Sequence, residues 1–266
     1  MKRLMLDYVM FSLLVPAAWA GVVVEMEVTE PQSPDKSTIE TFYAQGEMVR
    51  MDPRSASDGT DMTVIFRDQT MWFLDHNKKV SQKIDKAGMA ELSSQMDAIM
   101  KQLTDLPPEQ REMMEKMMQG KMPGMTTAPP RRVEKGAVEQ VGEYTCTLYT
   151  QYSADEKKWE VCAADESVGG DIAEAMEAFR ALSRFTEELQ ATFRKGPFAA
   201  MIQTPYAALD KMGGFPVRVR TFNKKGEVVR ESRLKSITRR DVEESVFAIP
   251  PGYKVKSLQD EMRQGR

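Results

Sequence analysis

Apolar Val22, Val24, Met26 and Val28 alternate with Val23, Glu25 and Glu27, a period of two that predicts an amphipathic strand with one buried face. Short runs rich in β-branched and aromatic residues follow at 38–44, 47–52, 62–67, 70–75 and 79–85. Clusters of Pro, Gly, Asp and Asn separate them at hairpin-like intervals, so this part of the chain reads as an antiparallel meander. The period changes after Asp85, a good helix N-cap. Met89, Leu92, Met96, Ile99, Met100, Leu103 and Leu106 recur at three- and four-residue steps, which is one helical face. Pro107 and Pro108 end that helix and open a second over 109–120, where Met113, Met114, Met117 and Met118 cover about 140° of arc. Pro123, Gly124, Pro129 and Pro130 mark a connecting segment.

A second group of strands is predicted at 131–139, 143–152 and 157–164. Gly169-Gly170-Asp171 then opens a long helix with an apolar stripe of Ile172, Met176, Phe179, Leu182, Phe185, Leu189 and Phe193, and Gly196-Pro197 ends it. Residues 216–222 and 227–237 alternate around Asn223-Lys224-Lys225-Gly226, another hairpin. About eleven strands and three main helices in this order place the chain in the α+β class with an antiparallel sheet. Ser153-Ala154-Asp155-Glu156 is turn chemistry, which puts Cys146 and Cys162 on adjacent strands. With the cysteines directly opposed, Tyr149 faces Trp159, Thr147 faces Val161, and Tyr152 faces Glu156 across a three-residue loop. Their Cα atoms then stand about 4.5 Å apart, within reach of a disulfide.

Composition narrows the function. The chain has 266 residues, 37 Lys plus Arg against 40 Asp plus Glu, and 41% apolar residues. That balance excludes a polytopic membrane protein and a basic nucleic-acid binder, so no nucleic-acid partner is expected. The N-terminus carries Lys2 and Arg3, a short apolar run to Val15, Pro16, and Ala18-Trp19-Ala20 before Gly21. This is the pattern of a signal peptide over 1–20, cleaved after Ala20, and its apolar run is too short to cross ~30 Å of hydrocarbon. Export makes a disulfide permissible. A single His leaves no second imidazole for a triad or a His-rich metal site, and there is no Gly-x-Ser-x-Gly elbow, phosphate loop or metal-ligand cluster. The expectation is a non-enzyme without cofactor, in which His76 serves as an exposed hydrogen-bonding residue of the 75–78 turn.

Several segments also carry a resemblance. The strand meander, Leu106-Pro107-Pro108-Glu109-Gln110-Arg111-Glu112-Met113-Met114-Glu115, Gly142-Glu143-Tyr144-Thr145-Cys146-Thr147-Leu148-Tyr149, Gly214-Phe215-Pro216-Val217 and the closing Phe247-Ala248-Ile249-Pro250-Pro251-Gly252-Tyr253 occur in that order. Together they resemble the exported family called domain of unknown function 4412, over nearly the whole mature chain. Through it the chain is similar to periplasmic lipoprotein carriers of the LolA type. The resemblance implies a periplasmic protein in which 21–266 form one LolA-like unclosed antiparallel β-barrel. Met-rich helices, inserted at 86–120 and 171–195, would pack over its concave side.

A bent open sheet has a concave apolar face that its own side chains cannot fill, so helices cover it or a ligand occupies it. Thioether side chains are unbranched and polarizable, and repack at modest cost. The leading expectation is a carrier or sensor for a lipid, a lipoprotein acyl chain or an apolar peptide. Met89, Met96, Met100, Met113 and Met117 would form its lid, and Phe66, Trp72 and Phe179 the cavity wall. The alternative is that all of them are ordinary core and the cavity is closed, and for any one residue taken alone that is the favoured reading. Two other readings stay open: Cu(I) binding by the thioethers of Met113, Met114, Met117, Met118, Met122 and Met125, and docking of the lid face onto a membrane protein complex.

Overall fold

The structure, a computed structural model, describes residues 20–33, 37–53, 61–105, 107, 109–110, 131–165, 170–192, 205–257 and 260. Six strands open the described chain: β1 (Ala20–Thr29), β2 (Ser37–Gln45), β3 (Met48–Asp52), β4 (Met62–Arg67), β5 (Thr70–Asp75) and β6 (Val80–Asp85). Helix α1 (Lys86–Thr104) follows, capped as predicted: Asp85 Oδ1 accepts from the Gly88 N–H at 2.8 Å. Next come β7 (Arg131–Val141), β8 (Tyr144–Ser153), β9 (Glu156–Ala164) and helix α2 (Gly170–Thr192). A 3-10 turn (Pro205–Ala208) runs into α3 (Leu209–Met212), and the chain closes with β10 (Phe215–Phe222), β11 (Val228–Asp241), a second 3-10 turn (Glu244–Phe247) and β12 (Lys254–Ser257).

All twelve strands form one unclosed sheet in the order β12-β6-β5-β4-β3-β2-β1-β11-β10-β9-β8-β7. Two antiparallel meanders, β2 to β6 and β7 to β11, are joined by β1, which pairs with β2 on one side and β11 on the other. Central placement explains the valine-rich sequence of β1: Val22, Val24 and Met26 are buried on the face that meets α2, and Val23 on the reverse face. The expectation of a single buried face is therefore corrected.

Parity sorts the first meander in the same way. Phe42 and Phe66 belong to the α2 side, whereas Ile65, Trp72 and Leu74 belong to the reverse side. That reverse side is covered by the chain's last segment, whose Val242 and Phe247 pack on Val23, Ile65 and Leu74. Phe247 is fully buried. The segment ends as β12, which pairs in parallel with β6 and raises the strand count to twelve. A four-residue Lys-Val-Lys-Ser edge strand has too little alternation to be seen in sequence.

His76 fastens this segment. Asp52 Oδ1 accepts from Thr63 Oγ1 at 2.6 Å, so Thr63 must in turn accept from His76 Nε2 at 2.8 Å. His76 Nδ1 then accepts from the Tyr253 hydroxyl at 2.5 Å. Arg50 completes the chain, donating from Nε to Asp52 and from Nη1 to the Val246 carbonyl at 3.0 Å. The ring predicted to be exposed is half-buried.

The disulfide Cys146–Cys162 is present, with its Cα atoms 5.4 Å apart, but the hairpin register differs from the expected one. Cys146 pairs with Ala164, and Cys162 with Leu148, so the bond runs diagonally across one face. Two causes combine. The loop holds two residues, since Ser153 pairs with Glu156 with Ala154 at φ 53°, and a bulge between Gln151 and Tyr152 shifts the rest of the ladder.

If the closing segment is a structural brace, Phe247→Ala should lower stability by about 3–5 kcal/mol and Tyr253→Phe by about 1–2 kcal/mol. Urea denaturation checks both, and a Phe247→Ala loss under about 1 kcal/mol would contradict the assignment.

Candidate functional site

The concave face is built around α2. Its Ala-rich sequence favours helix, and Asp171 in the first turn complements the helix dipole. Ile172, Met176, Phe179, Leu182, Phe185 and Leu189 are all buried, as the stripe predicts, and so are Ala175, Ala178, Ala181, Ser183 and Thr186. At 100° per residue these positions cover roughly 220° of the helix circumference. A helix resting on a flat sheet buries nearer 100°, so α2 lies in a trough.

Ring distances give the same result. Phe42 of β2 and Phe215 of β10 lie 5.8 and 5.6 Å from Phe179, so the two rings are within about 11 Å of each other. Their strands are three steps apart, roughly 14 Å along a flat sheet. Phe185 meets Phe66 of β4 at 5.2 Å, and Tyr206 of the 3-10 turn stands 5.8 Å from Phe179. Gln151 of β8 holds that turn by donating to the Pro205 carbonyl at 2.9 Å.

One part of the trough is polar. Glu40 has the same parity as Phe42 and Ala44, and it is buried on the concave side, opposite Met26 in the β1–β2 ladder. Arg230 Nη2 meets Glu40 Oε1 at 2.5 Å, and Arg230 Nη1 lies 4.0 Å from Glu30. Burial pushes the Tyr206 phenol far above its usual value. The Glu40 charge adds to this, and Arg230 partly opposes it. Ser183 Oγ, in the interface between α2 and the sheet, has no hydrogen-bond partner, an omission worth about 1–3 kcal/mol against tight closure.

The edge of α2 is held by ion pairs that are mostly exposed: Lys86 with Glu188 at 2.6 Å, Arg184 with Glu47 at 3.7 Å, and Arg239 with Glu174 at 2.9 Å. Such pairs contribute about 0–1 kcal/mol each and weaken with salt, so apolar contact and not charge closes the trough.

Of the residues predicted for the site, Phe66, Met89 and Phe179 come together in this cluster, each almost fully buried. Trp72 does not. It lies on the reverse face with Tyr253, because it is one residue out of parity with Met71 and Phe73. The side chains of Met96 and Met100 lie outside the described residues. So do Met113 and Met117, the copper candidates Met114, Met118, Met122 and Met125, the stripe's Phe193, and residues 1–19 of the signal peptide expected over 1–20. Among the described residues the cover is α2, which carries one Met, with Met89 of α1 in the same cluster. Phe42, Tyr206, Phe215, Glu40 and Arg230 were not anticipated, although the parity of Glu40 with Phe42 was visible in sequence. Among the described residues no group of three His, Cys, Asp or Glu is placed to hold a metal ion, and no helix is long and apolar enough to cross a membrane.

The sequence profile described as Domain of unknown function (DUF4412) matches residues 100–253. No curated protein matches the chain. Among solved structures, it is similar to an uncharacterized conserved protein from Thermus thermophilus, at 7% identity and TM-score 0.45, over 90% of this chain and 91% of that one. It is also similar to PNGF-II, at 7% identity and TM-score 0.42, over 91% of this chain and 32% of that one. A LolA superfamily protein from Nitrosomonas europaea matches at 6% identity and TM-score 0.26, over 86% of this chain and 89% of that one.

The Glu40–Arg230 pair yields a prediction. Arg230→Met takes the guanidinium away from a buried carboxylate and should cost about 2 kcal/mol, whereas Glu40→Met combined with Arg230→Met should come within about 1 kcal/mol of the parent. Equal and additive losses in urea melts would contradict this assignment.

Proposed function

We propose that this chain, which belongs to the DUF4412 family, is an exported, non-enzymatic carrier or sensor that takes a long acyl chain, or an apolar peptide segment of similar area, into the trough that α2 closes. The observation that carries this reading is the arc of α2 buried against a bent sheet: one helix fills a volume that the strands leave open.

Magnitudes limit the ligand. Six large apolar side chains of α2, at about 1.5–3 kcal/mol each, hold the trough shut by roughly 9–18 kcal/mol as an upper estimate. Opening without replacement is therefore negligible. A saturated chain of about sixteen carbons, at ~0.8 kcal/mol per buried CH₂, offsets most of that cost, and one of about eight carbons does not. Glu40, Arg230 and Tyr206 would meet the polar end of such a ligand. The basic start, short apolar run and Ala18-Trp19-Ala20 support export, and so does the Cys146–Cys162 bond. His76, the one imidazole, braces the closing segment away from the trough, which supports a non-enzymatic role.

The test is a chain-length series. Protein purified without detergent is expected to carry amphiphile in native mass spectrometry. After delipidation it should bind sixteen-carbon but not eight-carbon fatty acids, with Phe179→Trp fluorescence as the reporter. Protein that is free of amphiphile as isolated, with equal indifference to both chains, would overturn the proposal.

A further inference from the structure

The sheet also holds a cavity of about 540 Å³ on one face, between the β7–β8 turn and strands β1, β10 and β11. Glu27, Arg233 and Arg218 are successive cross-strand partners, so they stand in one row on this face. Two guanidinium groups in direct register repel each other, and Lys235, which also lines the cavity, adds a third positive charge. Each has an acidic neighbour: Arg218 Nη2 donates to Glu139 at 2.6 Å, Arg233 Nε donates to Glu231, and Lys235 lies 4.0 Å from Glu25. Glu27 and Glu143 complete the charged lining.

Arg218 differs from the other two. Its side chain is 9% exposed, whereas those of Arg233 and Lys235 are 57% and 54% exposed. Its Nε–H has no hydrogen-bond partner. Nε and Nη2 form one edge of the guanidinium fork, the edge that engages a carboxylate or phosphate through two parallel bonds. Glu139 takes one of those positions and leaves the other open. A buried donor left without an acceptor is costly, and an incoming oxyanion on Arg218 Nε would relieve that cost.

We propose that this cavity is a binding site for an oxyanion, a phosphate or carboxylate group received by Arg218 Nε with Arg233 and Lys235 around it. A volume of about 540 Å³ is several times that of a bare phosphate, so the anion is one group of a larger molecule, either a soluble metabolite or a lipid headgroup. The site is distinct from the apolar trough in its lining, which is mostly charged and polar.

The experiment uses the full processed chain with ¹⁵N-labelled arginine. The Arg218 Nε–H signal is assigned by its loss in Arg218→Lys, and circular dichroism confirms that each variant is folded. Inorganic phosphate and glycerol 3-phosphate are titrated at constant ionic strength, followed by vesicles of phosphatidylglycerol and of phosphatidylcholine. A saturable shift with either soluble anion, weakened about fivefold or more in the surface variant Arg233→Gln, is the expected result and assigns a soluble ligand. Saturable loss of the signal with phosphatidylglycerol vesicles alone, weakened in the same variant, assigns a headgroup. No saturable change in any arm, a change that chloride reproduces, or full binding by Arg233→Gln would overturn the proposal.

Discussion

A bent β-sheet cannot satisfy its own concave side. Neighbouring strands hold their spacing while the side chains above them converge. Here that convergence brings Phe42 and Phe215, from strands three steps apart, onto a single Phe179 ring. The trough must then be filled from outside the sheet, and α2 fills it by burying more than half of its circumference. The covering α2, the alanines that let it approach closely, and the 3-10 turn pinned by Gln151 all follow from that constraint.

The two faces of the sheet are closed by different means. On the reverse face, the segment from Val242 to β12 buries Phe247 and is tied through Tyr253, His76, Thr63, Asp52 and Arg50 in one hydrogen-bonded chain. On the concave face, α2 is held by apolar contact, a fringe of mostly exposed ion pairs and an interface that leaves Ser183 Oγ without a partner. A hydrogen-bonded chain on one face, against apolar contact and exposed ion pairs around α2 on the other, favours movement at α2 while the sheet stays rigid.

Most of the elements were legible because their periods are strong. The boundaries of β4 and β5 match the alternating runs, the Asp85 cap forms, and the α2 stripe from Ile172 to Leu189 is buried as its spacing requires. What sequence could not supply was partner choice. Trp72 has the apolar character of a cavity wall, but parity with Met71 and Phe73 decides its face, and only the covering segment explains why a second face is apolar at all. The diagonal disulfide depended on a two-residue loop and a bulge, neither of which has a distinctive residue here. Arg218 was hidden for a related reason: cross-strand register alone brings it beside Arg233.

The central claim is that α2 moves off the sheet to admit a ligand, and a staple tests it directly. Arg184 on α2 and Glu47 at the β2–β3 turn face each other at 3.7 Å on the surface. Cysteines at these two positions can be joined by a short bis-maleimide without touching the trough. Uptake of a sixteen-carbon fatty acid is then measured in stapled and unstapled protein. The account predicts loss of uptake on stapling and recovery when a cleavable linker is cut; unchanged uptake by fully stapled protein would contradict it.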